Sequence, residues 1–254
     1  MVKADGQFAH SLMVFYPKPK NTAAFDKTYM EEHVPLAEKL GAKLFRVNKV
    51  LSTIPRGLAK PILSALMKSR LVPDSVISFL FPHIDLIRAM SGEGAPYYQT
   101  AELHFDDLAS LEAAAGSSAA KEAIGHAMEI STGGAPSLMI LESDLALDEV
   151  AGKARPPVKL TICFPQQPDV DAFEDVWVHE IIPMAMKIPC ESLKAYKVAG
   201  TADGSPAPFH RIAELYYNDQ KQMKATVCTQ EIRDVIAKIL SMSPVPLVII
   251  SENA

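Results

Sequence analysis

Tyr29 and His33 stand four residues apart in YMEEHVP, residues 29–35, about one helical turn from each other. A phenol beside an imidazole can hold a ligand oxygen and move a proton, because imidazole titrates near neutrality. Phe25, Tyr29, His33, Leu36 and Leu40 recur at spacings of 4, 4, 3 and 4, which places them on one helical face. That face is the one a helix turns to its sheet. A second set lies on an expected strand, where Thr100, Glu102 and His104 share a face by period two. Glu102 with His104 is a candidate proton-handling pair. Arg46 and Asn48 share a face of the preceding strand and are candidates for holding substrate, Arg46 for an anionic one. The candidate catalytic residues are therefore His33, Tyr29, Glu102 and His104, and the candidate substrate-binding residues are Arg46 and Asn48.

Each of these has a structural alternative. For His33 the alternative is a core histidine bonded to a backbone carbonyl. An unpaired buried charge is very costly, so Arg46 with Glu102, and Lys194 with Glu214, are natural ion pairs within or between sheets. His179 lies two residues off the helical stripe, a rotation of about 200°, and is expected to face solvent. Cys163 is opposite in phase to Leu160, Ile162 and Phe164 and has no local base, so it is expected to be a buried, unreactive thiol. His126, in the small-residue stretch 111–127, is given no role.

The elements that must position these groups are written twice. Phe25 and Phe173, Tyr29 and Trp177, Pro35 and Pro183, and Lys49-Val50 and Lys197-Val198 are all 148 positions apart. AELHFDD at 101–107 and AELYYND at 213–219 are 112 apart, so about 36 extra residues lie between Val50 and Ala101. Each copy reads strand, helix, strand, strand, helix, strand. The helices are expected over about 21–40, 107–131, 170–188 and 220–242, with Asp106 as the cap of the second. This order is the ferredoxin-like βαββαβ motif, a four-stranded antiparallel sheet with helices on one face. Its bare face needs cover. The expected fold class is α+β: two ferredoxin-like repeats packed sheet to sheet as a pseudo-dimeric α+β barrel. The first repeat spans 1–147, with a helical insertion at about 53–95; the second spans 158–254. The insertion follows a strand of the copy that carries His33. A lid, an oligomer interface and a membrane-surface element are its three readings.

The residues Phe25, Tyr29, His33, Pro35 and Leu36, the block Ala101 to Asp106, and Thr132-Gly133-Gly134 together resemble the EthD-type dimeric α+β barrel proteins. The resemblance covers nearly the whole chain as two copies. It implies a barrel of two four-stranded sheets with helices outside. It also implies kinship with muconolactone isomerases, cofactor-free quinone-forming monooxygenases, polyketide cyclases or decarboxylases, and haem-binding barrels. Fold alone does not settle which.

Composition narrows the classes. Nearly half of the 254 residues (48%) are hydrophobic, enough for a sizeable core, and a net charge of −5 disfavours nucleic acid. The three cysteines form no CxxC or metal spacing, and no metal site is expected. No P-loop, dinucleotide-binding, nucleophile-elbow or zincin motif occurs. No signal peptide or membrane span is expected, and the expected location is cytoplasmic. The expected function is cofactor-independent acid/base chemistry, by an isomerase, lyase or decarboxylase, or cyclase, on a small aromatic or polyketide-like molecule. The alternatives are a haem or hydrophobic-ligand carrier with His33 as axial ligand, and a non-catalytic accessory to an oxidase. The partners expected are a small apolar or aromatic substrate and, through the insertion, a second copy of the chain.

Overall fold

The computed structural model describes residues 9–54, 97–148, 156–242, 244 and 246–254. The strands are β1 (His10–Tyr16), β2 (Leu44–Ile54), β3 (Gln99–Phe105), β4 (Ser137–Asp148), β5 (Val158–Pro165), β6 (Ser192–Thr201), β7 (Phe209–Tyr217) and β8 (Leu247–Asn253). They form a closed barrel in the order β1-β3-β2-β8-β5-β7-β6-β4, with every neighbouring pair antiparallel. The first half contributes β4-β1-β3-β2 and the second β8-β5-β7-β6. The halves do more than face each other. They are hydrogen-bonded edge to edge, β2 to β8 and β4 to β6, so no open sheet edge remains. The expected insertion lies outside the described residues.

The two offsets read from the sequence recur in the strand register. Arg46 lies opposite Glu102, and Lys194 lies opposite Glu214, at the same place in each half. The helices recur likewise. In the first half α1 (Thr22–Thr28), a π-helical turn (Tyr29–His33) and α2 (Val34–Glu38) run on as one rod. In the second, α3 (Val170–Val176), a π-helical turn (Trp177–Ile181) and α4 (Ile182–Ala185) do the same. Asn21 and Asp169 cap the two rods by accepting from Ala24 N and Ala172 N. The wide turn, unforeseen from the stripe, has a local cause. Pro35 and Pro183 lack an N–H and would crowd the carbonyl four residues back. The residue before each proline instead bonds five back, Val34 N to Tyr29 O and Ile182 N to Trp177 O.

The second helical region of each half is split. Leu108–Ala115 and Ser118–Ile130 replace one expected helix, and Gln220–Thr226 and Gln230–Met242 replace the other. Ser117 restarts the chain by capping through Ala120 N. The first cap is Asp107, accepting from Ser110 N, one residue after the expected Asp106. All these helices cover the outer face of the barrel.

Alternation along the strands divides the core in two. Met13, Phe15, Met139, Leu141, Cys163 and Ile212 belong to the cluster inside the barrel. Cys163 is fully buried there, as its phase requires. Beneath the helices of the second half lies one continuous apolar cluster. Beneath those of the first half lie two separate ones. The helix of 118–130 presents Ala120, Ala123 and Ala127 to the sheet, where its counterpart presents Ile232, Val235 and Ile239. The first half therefore puts much less hydrocarbon between helix and sheet.

Gly133 explains part of the Thr132-Gly133-Gly134 motif. A Cβ there would lie 1.8 Å from the carbonyl oxygen of Lys18. Thr132 Oγ1 also accepts from Lys20 N at 3.0 Å. The motif thus clamps the segment leading from β1 into α1. Among the described residues no helix is long and apolar enough to cross a membrane, and no group of three His, Cys, Asp or Glu side chains is placed to hold a metal ion.

Candidate functional site

The six candidate residues do not form one site. Glu102, His104, Arg46 and Asn48 share the face of β3 and β2 opposite to the one that meets the helices. Tyr29 and His33 sit on the helix side, against Tyr16 and Ala101. The sheet itself separates the two sets, because successive strand side chains point to opposite faces.

Inside the barrel, Lys159 of β5 is the hub. Its Nζ donates to Glu102 Oε1 and, at 2.7 Å, to Glu214 Oε1. Glu102 also accepts from Asn48 Nδ2 at 2.7 Å, and its other oxygen lies 3.2 Å from His104 Nε2. His104 Nδ1 meets Ser11 Oγ at 2.7 Å, and Tyr216 donates to Glu214 Oε2 at 2.7 Å. The ion pair expected between Arg46 and Glu102 is thus replaced by one to Lys159 from the other half. Lys194 faces Glu214 in register, as expected, and Lys159 bonds the same carboxylate. Burial alone would raise the Glu102 pKa; Lys159 and His104 outweigh it and hold the carboxyl well below its ordinary range. Burial opposes the Lys159 charge too, and the two glutamates more than offset it. A carboxylate with both oxygens engaged and a depressed pKa is a poor proton acceptor. The network suits a strut that ties the halves together.

The helix side carries a different arrangement. Tyr16, Tyr29 and His33 are 1%, 0% and 4% exposed. Tyr16 Oη lies 3.1 Å from His33 Nε2. The Tyr29 ring lies 4.9 Å from the imidazole and 5.3 Å, edge-on, from Tyr16. On the far side, His33 Nδ1 lies 3.3 Å from His126 Nδ1. Burial, helped by the charge His126 can carry, lowers the His33 pKa from its ordinary value to about 4. His33 is therefore a neutral imidazole at pH 7.

Tyr29 Oη and Gln99 Nε2 are buried here and make no well-aligned hydrogen bond among the described residues, which is also true of Trp177 Nε1 at the position matching Tyr29. Gln99 is next to Tyr29, and it and Tyr16 offset part of the rise that burial causes in the Tyr29 pKa. The second half fills the equivalent positions with Phe164, Trp177 and Ile181. Arg211 stands in place of Gln99, 5.1 Å over the Trp177 ring and paired with Glu174.

Sequence reasoning reaches Tyr29 and His33 but passes over Tyr16, Gln99, His126 and Lys159. The repeat offsets carry the signal for three of them, because Tyr16, Gln99 and His126 face Phe164, Arg211 and Lys238 in the second copy. His179 is exposed and pairs with Asp175 at 3.0 Å. Arg46 is half-buried, in register with Glu102.

No protein-family model matches the chain, and no curated protein does. Among solved structures, an anthrone oxidase-like protein is similar, with a TM-score of 0.59 and 11% identity, covering 100% of this chain and 94% of its own. A monooxygenase-like protein from Fusobacterium nucleatum has a TM-score of 0.53 and 9% identity, over 96% of this chain and 93% of its own. An ethyl tert-butyl ether D (EthD) family protein from Bacillus halodurans is 23% identical over 39% of this chain and 99% of its own, with a TM-score of 0.37. The first two likenesses show the fold: a mixed α and β chain closed around an eight-stranded antiparallel barrel, of the dimeric α+β barrel kind.

Proposed function

We propose that the chain is a tandem duplication of a ferredoxin-like, EthD-like unit. In our reading its first half is a cofactor-independent acid/base enzyme for a small aromatic or polyketide-like molecule. The observation that carries this is the nest of Tyr16, Tyr29 and His33, polar where the second half holds Phe164, Trp177 and Ile181. A neutral imidazole coupled to a phenol can withdraw a proton from a carbon acid and return it elsewhere. Tyr29 Oη and Gln99 Nε2 supply donors for the oxyanion that forms on the adjacent carbonyl. Isomerisation, dehydration, decarboxylation and cyclisation all use that step. Glu102 and His104 are assigned to architecture in this reading.

Haem does not fit His33 as arranged. Both ring nitrogens are engaged, Nε2 by Tyr16 and Nδ1 by His126, so neither is free for an axial bond. A carrier or an accessory to an oxidase would bind the same ligands without turning them over.

The test is proton exchange at the acidic carbon of a panel of aryl ketones, followed by NMR. Anthrone belongs on the panel because the anthrone oxidase-like protein shares the fold. Catalysed exchange is expected, with a loss of roughly 10²–10⁴-fold in His33→Ala and a smaller loss in Tyr29→Phe. Unchanged rates in both variants refute the assignment. Tight binding without exchange points to the carrier.

A further inference from the structure

We infer that the nest is the inner end of a proton relay running from Tyr16 through His33 and His126 to the surface carboxylate of Glu32. This deepens the acid/base reading and rests on it. The links are Tyr16 Oη to His33 Nε2 at 3.1 Å, His33 Nδ1 to His126 Nδ1 at 3.3 Å, and His126 Nε2 to Glu32 Oε2 at 3.5 Å. Exposure climbs along the path, from the buried Tyr16 to a His126 side chain at 16% and a Glu32 side chain at 63%. The two imidazole planes are 9° apart, yet their centroids are 5.5 Å apart. With the facing nitrogens at 3.3 Å, that spacing requires rings set edge to edge and nearly coplanar. An N–H on one ring then points straight at the lone pair of the other.

One tautomer set satisfies every link at once. Tyr16 O–H donates to His33 Nε2, His33 Nδ1–H donates to His126 Nδ1, and the remaining proton on His126 Nε2 faces Glu32 Oε2 at ion-pair distance. A proton arriving on the Tyr16 oxygen from a substrate C–H or O–H displaces the phenolic proton onto His33 Nε2. The Nδ1 proton of His33 passes to His126 Nδ1, and the Nε2 proton of His126 passes to the carboxylate. Four bonds to hydrogen break, one in the substrate and one each on Tyr16, His33 and His126, and four form, on Tyr16, His33, His126 and Glu32; no electrons leave the chain. Both rings end as the opposite tautomer. Return of the proton to the product, by the same steps reversed, resets them.

Among the described residues the second half carries no such path. Phe164 and Ile181 replace the inner links, and Lys238 pairs with Glu180 at 2.6 Å where His126 meets Glu32. The outer ion pair is kept as a helix-to-helix tie, while among the described residues the groups able to pass a proton inward occur only in the first half.

The experiment uses the full chain labelled with 15N-histidine and needs no substrate, so it can fail separately from the assignment of activity. Two-bond spectra should show His33 protonated on Nδ1 and His126 on Nε2. The His33 ring proton should exchange with water about tenfold or more slowly in His126→Phe. His126→Gln, which keeps a hydrogen bond but cannot pass a proton from one end to the other, should show the same slowing and guards against misfolding of the Phe variant. His33 protonated on Nε2, or exchange unchanged in a folded variant, would overturn the relay.

Discussion

Replacing Tyr16 by Phe and His33 by Ile would rebuild in the first half the pair that the second half already carries, Phe164 and Ile181. The consequences can be worked out from the nest. His33→Ile alone strands Tyr16 Oη, and Tyr16→Phe alone strands His33 Nε2, so each single change costs about 1–3 kcal/mol. The double variant strands neither, and a coupling of about 1 kcal/mol or more is expected between them. A pH dependence separates this from ordinary packing loss. The unfolded chain takes up a proton on His33 near pH 6.5, while the folded protein does so only at about 4. The stabilisation from a neutral buried ring is therefore complete above the unfolded pKa, and it is lost as pH falls through the folded one. The full span corresponds to about 3 kcal/mol, of which roughly 2.5 is gone by about pH 4.5. Urea unfolding by circular dichroism at about pH 7.5 and about pH 4.5 measures it. Wild type should lose roughly 2.5 kcal/mol more than the double variant across that interval. Equal losses would refute the claim that His33 is buried and neutral.

Three further outcomes test other parts of the molecule. Lys159→Met removes the buried cation that Glu102 and Glu214 share; a loss of about 3–5 kcal/mol is expected by chemical denaturation, partly restored when both glutamates become Gln. Gly133→Ala drives a methyl into the Lys18 carbonyl and should lower stability by about 2–3 kcal/mol, readable as a fall in Tm. Burial would raise the Glu174 pKa, but Arg211 and His210 bring it down to about 2, so its contribution is present above the ordinary glutamate value and lost as pH falls through about 2. Arg211→Gln should shift the acid-unfolding midpoint to higher pH and remove roughly 1–2 kcal/mol at neutral pH, a figure reduced for partial exposure; an unmoved midpoint would contradict the pairing.

Much of this architecture is readable in the chain because repetition supplies an internal comparison. The offsets of 148 and 112 anticipate the matched register of Arg46 with Glu102 and of Lys194 with Glu214. What pairs along one sheet is legible from alternation; what crosses the barrel is not. Lys159 sits 57 residues from Glu102, on a strand of the other half, and only closure brings them together. His126 was illegible for a related reason. Its neighbours are small residues, and its value lies in facing His33 across two helices, a relation that periodicity within one helix cannot express. The π-helical turn was hidden because the stripe of Phe25, Tyr29 and His33 fits ordinary helical spacing, while its cause is a missing N–H at Pro35.

The shared lysine has a consequence for synthesis. As the chain leaves the ribosome, residues of the first half appear before β5 does. At that stage Glu102 has no Lys159, and β2 and β4 have no β8 or β6 to bond. A buried carboxylate without its cation and two open strand edges make a nascent first half unable to settle and prone to pairing wrongly. Carrying both halves in one chain answers this by tethering the missing lysine to the strands that need it. Cut between the halves, the fragments should be found to fold together or scarcely at all.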